Sequence, residues 1–251
     1  MRSEVRHRLK EDRFAETAQG AFSWMRGHSV NVLGGILVAT LIIAIALGGY
    51  FYMESREQKA SAGLGAAMET MNARIGAADP NPDSKEESYS SVKERGQAAE
   101  KKFQSIASQY PHTHAGKISR YLSGVSQEQK GDNAAAEATF KQVAASGDKE
   151  VASLAKLALA SLYRSTNRTQ QAIAIYKDLA DHPTHEVAKT TAQFELAGVY
   201  ESTQPDDARK LYQEIQKADP KGADGPLGRQ ALMKMIGVKG GSSQLPVQIP
   251  Q

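Results

Sequence analysis

The sequence predicts an all-α protein in which a single transmembrane helix is followed by a solenoid of helical hairpins. Three observations support this fold class. A long uncharged apolar stretch lies near the N-terminus, an aromatic residue recurs about every 36 positions, and prolines follow several copies of the repeat. A chain of 251 residues leaves room for one soluble domain of ordinary size beside one membrane span.

Residues 30–53 are predicted to span a membrane. They read VNVLGGILVATLIIAIALGGYFYM and contain no charged residue. At about 1.5 Å rise per residue such a helix extends about 36 Å, and a hydrocarbon core needs about 30 Å. Tyr50, Phe51 and Tyr52 close the stretch with the aromatic rings that favour the headgroup level. The alternative, a buried core helix, rarely runs this long without a polar face.

We expect this segment to be an uncleaved anchor. A signal peptide has an apolar core of about 7–15 residues, which is shorter than this stretch. The alternative is cleavage near Ala60-Ser61-Ala62, which matches a small-residue cleavage motif. Glu54, Arg56 and Lys59 lie between that motif and the apolar stretch, where a cleavage region is usually short and neutral.

Basic residues indicate the orientation of the anchor. Those before the apolar stretch are Arg2, Arg6, Arg8, Lys10, Arg13 and Arg26, and those shortly after it are Arg56 and Lys59. Positively charged flanks stay preferentially in the cytoplasm, so we expect a cytoplasmic N-terminus and an external domain from Glu54 onward. Residues 1–29 form the leader. Its apolar residues recur at helical spacing, which leaves open an amphipathic helix in the membrane interface or a weakly ordered leader.

A repeat of about 36 residues occupies about residues 90–220. The aromatic residues Phe103, Phe140, Tyr176 and Tyr212 are spaced by 37, 36 and 36 positions. An alanine stands four residues before each of them and an aliphatic residue three residues after. The alanines are Ala99, Ala136, Ala172 and Ala208, and the aliphatic residues are Ile106, Val143, Leu179 and Ile215. Such a period predicts stacked helical hairpins with small residues where two helices cross closely.

Turn-forming residues divide the domain into its elements. The first helix is predicted to continue through residues 54–75, and the proline-containing segment 76–90 is predicted to be a long loop. Pro111, Pro183 and Pro220 end three of the second helices, because proline cannot continue the helical hydrogen bonds. A capping helix over 223–236 ends the domain of residues 54–236. The tail 237–251 is rich in Gly, Ser, Pro and Gln and is predicted to be disordered.

The repeat resembles the tetratricopeptide repeat over about residues 90–220. Leu159-Ala160-x-x-Tyr163 recurs as Leu196-Ala197-x-x-Tyr200, and Gly124 takes the small position in the preceding copy. The period here is two or three residues longer than the ordinary 34, and the usual first-helix tryptophan is missing.

The whole layout resembles the YfgM-like ancillary subunits of the SecYEG translocon. It combines a short basic leader with LKEDRF, one span and a repeat array outside. The resemblance implies a bacterial inner-membrane protein whose repeat domain lies in the periplasm. It also implies protein partners, namely translocon subunits, periplasmic chaperones and secreted client chains. The alternative function is a structural scaffold for a cell-envelope assembly, such as cell division or outer-membrane biogenesis.

The sequence predicts no enzymatic activity, cofactor or metal site. Cysteine is absent, and neither a nucleophile elbow nor a phosphate loop occurs. The pairs His112/His114 and His182/His185 lie two repeats apart, so they are not expected to converge on a metal. The net charge is +3 and the basic residues form no stripe, which argues against a nucleic-acid partner. No small-molecule substrate is expected.

Binding is therefore assigned to the surface of the first helices. Tyr121, Leu157 and Phe194 stand three residues before the small positions and are predicted to line a protein-binding groove with Arg164 and Glu201. The alternative is that the three apolar residues belong to the core. If they line the groove, its apolar character suits hydrophobic or extended peptide segments.

Small residues also mark two faces of the membrane helix. Gly35 and Ala39 form one small-xxx-small pair, and Ala44 and Gly48 form another. Such pairs allow close packing with a second membrane helix, although glycine and alanine are common in membrane helices in general.

Overall fold

The computed structural model describes residues 29–77 and 87–237. Residues 1–28 of the predicted leader 1–29, residues 78–86 of the predicted loop 76–90 and residues 238–251 of the predicted tail 237–251 lie outside the described residues. The α-helices in the described ranges are α1 (Ser29–Asn72), α2 (Val92–Gln109), α3 (His114–Gln129), α4 (Asn133–Ala144), α5 (Lys149–Ser165), α6 (Thr169–Asp181), α7 (Lys189–Thr203), α8 (Pro205–Ala218) and α9 (Pro226–Gly237). A short 3₁₀ helix, Gly222–Asp224, precedes α9.

The chain divides into two compact units, Met1–Arg56 and Glu57–Gln251. In the first unit, α1 is long and apolar enough to span a membrane, and no side chain of its most apolar window is buried. Within the apolar stretch, the Thr40 hydroxyl is satisfied inside the helix, because Thr40 Oγ1 donates to the Ile36 carbonyl at 2.8 Å. Over this stretch the helix thus presents apolar side chains, one internally bonded hydroxyl and paired backbone groups, as a lipid-facing helix must.

The second unit is an array of helical hairpins. From α2 to α8, each helix packs chiefly on the next helix in the chain, which is the contact pattern of a solenoid. The pairs α3/α4, α5/α6 and α7/α8 are hairpins, and α9 packs on α8. Residues 57–72 of α1 form a further first helix opposite α2, since Ala60 and Ala67 are fully buried in one cluster with Phe103. The predicted all-α fold with repeated hairpins is confirmed.

The repeat residues form the core of this unit. Phe103, Phe140, Tyr176 and Tyr212 are all 0 % exposed, and so is the alanine four residues before each. The aliphatic residue three positions after each aromatic is likewise buried. Because about one helical turn separates these positions, all three side chains lie on the same face of their helix. The sequence spacing therefore identified the buried face of every second helix.

Local capping residues set where the helices begin and end. The side chains of Ser91, Thr113, Asp132 and Asp148 each accept a hydrogen bond from a backbone N–H in the first turn of the following helix. Helices α2, α6 and α8 end two residues before Pro111, Pro183 and Pro220. Pro205 begins α8, where its missing N–H removes no intrahelical bond.

The connection between α1 and α2 differs from the prediction in two ways. The helix expected over 54–75 ends at Asn72. Arg74–Ile75 and Ser88–Tyr89 then pair as a two-residue parallel sheet, β1 and β2, within the region expected to be helix and loop. Gly76 follows β1 with φ 116°, a conformation that glycine adopts without strain, and its N–H donates to the Tyr89 carbonyl at 2.9 Å.

Candidate functional site

The first helices of successive hairpins lie side by side. Helix α3 contacts α5. Arg164 on α5 reaches α7, where its Nη1 donates to Glu195 Oε2 at 2.9 Å and lies against Gly198. The first helices thus form a continuous surface, as expected for a solenoid of hairpins.

Each of the three predicted groove residues is partly buried on this surface. Tyr121 lies with its ring centroid 6.0 Å from that of Phe140, and Phe194 lies 5.5 Å from Tyr212 in an edge-to-face arrangement. Leu157 packs against two clusters of the core, one of which contains residues of α6 and α7. Each side chain therefore contacts the core along one edge and solvent along the other, so groove and core are not exclusive alternatives here.

The two charged residues of the predicted groove are engaged within the domain. Arg164 pairs with Glu195. Glu201 Oε1 accepts a hydrogen bond from Tyr212 Oη at 2.7 Å and lies 3.2 Å from Lys234 Nζ on α9. Both side chains thus join neighbouring helices, and a ligand would have to share these charges with existing partners.

Sequence reasoning missed Glu128, which occupies the same repeat position as Arg164 and Glu201. It stands seven residues after Tyr121, as Arg164 follows Leu157 and Glu201 follows Phe194. The Glu128 side chain is partly buried, and burial raises the pKa of its carboxyl group. Within the described residues its carboxylate makes no hydrogen bond or ion pair. The seven-residue spacing alone would have identified it.

A separate cleft of about 720 Å³ is lined by residues of α1, by Arg74 of β1, by Glu87 and by Lys102 of α2. Glu87 accepts hydrogen bonds from Lys102 Nζ at 2.9 Å, Tyr89 Oη at 2.7 Å and Thr70 Oγ1 at 2.8 Å. The bonds from Lys102, Tyr89 and Thr70 hold the pKa of Glu87 at about 2. These bonds connect α1 with α2 and leave Glu87 and Lys102 paired with each other.

The histidine pairs are separated by the fold. His114 Nδ1 lies 3.9 Å from Asp148 Oδ2, and His182 Nδ1 lies 3.1 Å from Asp178 Oδ1 in the same helical turn. In the ranges 29–77 and 87–237, no three His, Cys, Asp or Glu side chains are arranged to hold a metal ion.

The small residues of the predicted membrane-helix contact are all exposed. Gly35, Ala39, Ala44 and Gly48 are exposed in α1, and a Cβ atom built on either glycine would meet nothing within 4 Å. Their contact with another membrane helix stays a prediction.

Comparison with known proteins identifies the repeat. The family model described as "Tetratricopeptide repeat-like domain" matches residues 23–235. Two solved structures of a putative kinesin light chain with nearly identical TPR-like repeats from Podosopora anserina, one of them a point variant, are similar. Each is 16 % identical, and the alignment covers 57 % of this chain and 77 % of that chain, with TM-scores of 0.47 and 0.46. No curated protein matches the chain at a significant level. Since the family model covers well over half of the sequence, the chain belongs to the tetratricopeptide repeat-like domain family.

Proposed function

We propose that this protein is a non-enzymatic, membrane-anchored adaptor whose repeat domain binds proteins or peptides in the periplasm. In this role it assists the Sec translocon or periplasmic chaperones with emerging chains. Repeats of this family generally mediate protein–protein interaction. The apolar helix α1 and the excess of basic residues before it support a cytoplasmic N-terminus in the bacterial inner membrane.

The observation that carries the proposal is the row of half-buried apolar side chains on the first helices. Tyr121, Leu157 and Phe194 occupy one repeat position on α3, α5 and α7. Their inner edges are fixed by the core, so the exposed edges lose little side-chain entropy when a partner covers them. Such a preorganised apolar row suits an extended or helical segment of another protein.

A photo-crosslinking amino acid in place of Phe194 tests the proposal. p-Benzoylphenylalanine is aromatic and preserves the contact with Tyr212, so the fold should be retained. The matched control carries the same amino acid at Gln213, an exposed position on the second helix α8. We expect translocon subunits, chaperones and secreted chains to crosslink from position 194 and not from position 213.

The alternative function gives a different result. A structural scaffold of the cell envelope would crosslink from position 194 to one stable, stoichiometric assembly partner and to no secreted chains. Equal capture from both positions would contradict a binding surface on the first helices.

Reporter fusions test the orientation of the chain in the membrane. Reporters that are active on only one side of the membrane are fused to the C-terminus of the full chain. Activity of the periplasmic reporter is expected, and activity of the cytoplasmic reporter would overturn the periplasmic location.

A further inference from the structure

We propose that Tyr121, Val125 and Glu128 on α3 form a subsite for a lysine or arginine side chain that is flanked by apolar residues in a bound peptide. This inference deepens the proposed function and rests on it. It assigns a partner chemistry to one part of the first-helix surface, whereas the proposed function requires only that the surface binds protein.

The three residues share one face of α3. Val125 and Glu128 follow Tyr121 by four and seven positions, which brings all three side chains to the same side of a helix. All three are partly buried, and Tyr121 and Val125 pack on the core from the outside. Burial raises the pKa of the Tyr121 hydroxyl, and the nearby charge of Glu128 raises it further. The phenol and the carboxylate thus lie on the same side of α3.

Glu128 is a charged group that has no countercharge within the ranges 29–77 and 87–237. Its carboxylate has no hydrogen bond or ion pair to any described residue, although burial removes part of its hydration. The nearest basic residue in sequence, Lys130, is already engaged. Its Nζ lies 2.7 Å from Glu100 Oε2 and 3.6 Å from Asp132 Oδ2.

Basic groups on the neighbouring first helix are engaged as well. Lys156 Nζ pairs with Asp178 Oδ2 at 2.6 Å, and Arg164 Nη1 pairs with Glu195 Oε2 at 2.9 Å. At the equivalent position of the fourth hairpin, Glu201 is held by Tyr212 and Lys234. Of the three equivalent charges on this surface, Glu128 alone is left for a partner to pair with among the described residues.

A cation with an aliphatic stem fits this arrangement. The charged head group of the ligand replaces part of the hydration that burial removes from the Glu128 carboxylate. A charge-assisted hydrogen bond of this kind is stronger than a neutral one. The methylene stem covers the apolar edges of Tyr121 and Val125, as long basic side chains commonly do on apolar surface. An acidic segment at the same place would meet like charge.

Three labelled peptides test the subsite on the full chain in a zwitterionic detergent. They have the sequence GSSLXLSSG, where X is lysine, glutamine or glutamate, and carry one fluorescein at the C-terminus. Fluorescence anisotropy reports binding, and detergent without protein gives the blank. We expect the lysine peptide to bind most tightly and the glutamate peptide least tightly. The loss of one charge-assisted bond in Glu128→Gln should weaken the lysine peptide by about tenfold and leave the glutamine peptide unchanged.

The matched control is Glu186→Gln, which removes the same charge from an exposed loop position outside the first-helix surface. It should bind all three peptides as the parent does. Thermal melting separates binding from stability. Because burial penalises the charged form of Glu128 in the folded protein, Glu128→Gln should melt at the same or a higher temperature than the parent.

The outcomes distinguish this inference from the proposed function. Equal binding of the three peptides, a Glu128→Gln variant that binds the lysine peptide as the parent does, or an equal loss in Glu186→Gln overturns the subsite. If no peptide binds but the crosslinker at position 194 captures proteins, the subsite is wrong and the proposed function stands. If neither peptides nor proteins are captured, both are wrong.

Discussion

The Glu57 carboxylate accepts a hydrogen bond from the backbone N–H of His114 at 2.7 Å, and a second from Ala115 at 2.9 Å. These two N–H groups belong to the first turn of α3, where a helix has no internal acceptor for them. A carboxylate there also interacts favourably with the positive end of the helix dipole. Glu57 thus joins α1 to the second hairpin, across a separation of 57 residues.

Replacing Glu57 with alanine should destabilise the repeat domain. Two bonds to the first turn of α3 are lost, and alanine remains a good helix former, so the change isolates the capping contribution. Loss of a helix cap of this kind costs about 0.5–2 kcal/mol. Denaturant unfolding of the detergent-solubilised full chain, followed by far-UV circular dichroism, measures the effect. The control is Glu69→Ala on the same helix, which is exposed and should change the free energy of unfolding by less than about 0.5 kcal/mol.

Two tyrosines at one repeat position differ in how their hydroxyl groups are satisfied. Tyr212 Oη donates to Glu201 Oε1 at 2.7 Å, whereas Tyr176 Oη is buried with no partner among the described residues. Both rings are fully buried, and burial is the main cause that raises the pKa of Tyr176 to about 12. At the position where the fourth hairpin has Glu201 as acceptor, the third has Arg164, which only donates.

Removing these two hydroxyl groups should therefore have different effects on the free energy of unfolding. Tyr212→Phe breaks a hydrogen bond to a charged acceptor and should cost about 1.5–3 kcal/mol. Tyr176→Phe removes an unsatisfied polar atom from the core and should leave the stability unchanged or raise it. Chemical denaturation of both variants checks the pair, with each serving as the other's control. A comparable loss in both would show that Tyr176 Oη has a partner.

Stability should fall in acid through Glu137. Its carboxylate accepts from Lys141 Nζ at 2.7 Å, Arg168 Nη1 at 2.7 Å and Tyr163 Oη at 3.2 Å, and these bonds hold its pKa at about 2 against an ordinary 4.5. Because the pKa is lower in the folded than in the unfolded protein, the contribution is complete above about pH 4.5 and is lost as the pH falls towards 2.

The variant Glu137→Gln isolates this contribution. At neutral pH it should be less stable than the parent by about 1–2 kcal/mol, a reduced figure because both cations are partly exposed. The difference between parent and variant should shrink through the acid range and vanish near pH 2. Denaturant unfolding at a series of pH values measures it. A difference that stays constant with pH would contradict the role of the ionised carboxylate.

The core of the repeats could be predicted from the sequence because it depends on spacing. Phe140 and Tyr176 recur at a fixed period and each lies one turn from a buried alanine, so the pattern determines the buried face. Other parts depend on tertiary contacts with no local pattern. The strands Arg74–Ile75 and Ser88–Tyr89 have only two residues each, too few for a detectable alternation.

The first hairpin was not recognised in the sequence for a related reason. Its first helix is the second half of α1, and residues 73–91 separate it from α2 instead of a short turn. The period is therefore broken, although Ala60 and Ala67 are as buried as the repeat alanines. On the first-helix surface, the repeat position predicted Arg164 and Glu201 as groove residues. The ion pairs of these two residues depend on which side chains the neighbouring helices supply, and so does the lack of a partner for Glu128 among the described residues.

A last prediction concerns the small position at which α3 crosses α4. A Cβ atom built on Gly124 would lie 2.6 Å from Cε1 and 2.9 Å from Cδ1 of Phe140, whose ring is fully buried. Alanine favours a helix over glycine by about 1 kcal/mol, but here the ring has no free space to move into. Overpacking of a core costs about 1–3 kcal/mol. Gly124→Ala should therefore lower the free energy of unfolding despite its better helix propensity.

Gly65 on α1 supplies the matched control, since it lies within a helix and a Cβ atom there would meet nothing within 4 Å. Gly65→Ala makes the same chemical change without the clash and should stabilise the protein by about 0.5–1 kcal/mol. The sign of the change in unfolding free energy separates the two sites. If Gly124→Ala stabilises the protein as Gly65→Ala does, then α3 and α4 are not held in close contact at this position. A double variant with Phe140→Leu makes room beside residue 124, so it should recover part of the loss caused by Gly124→Ala.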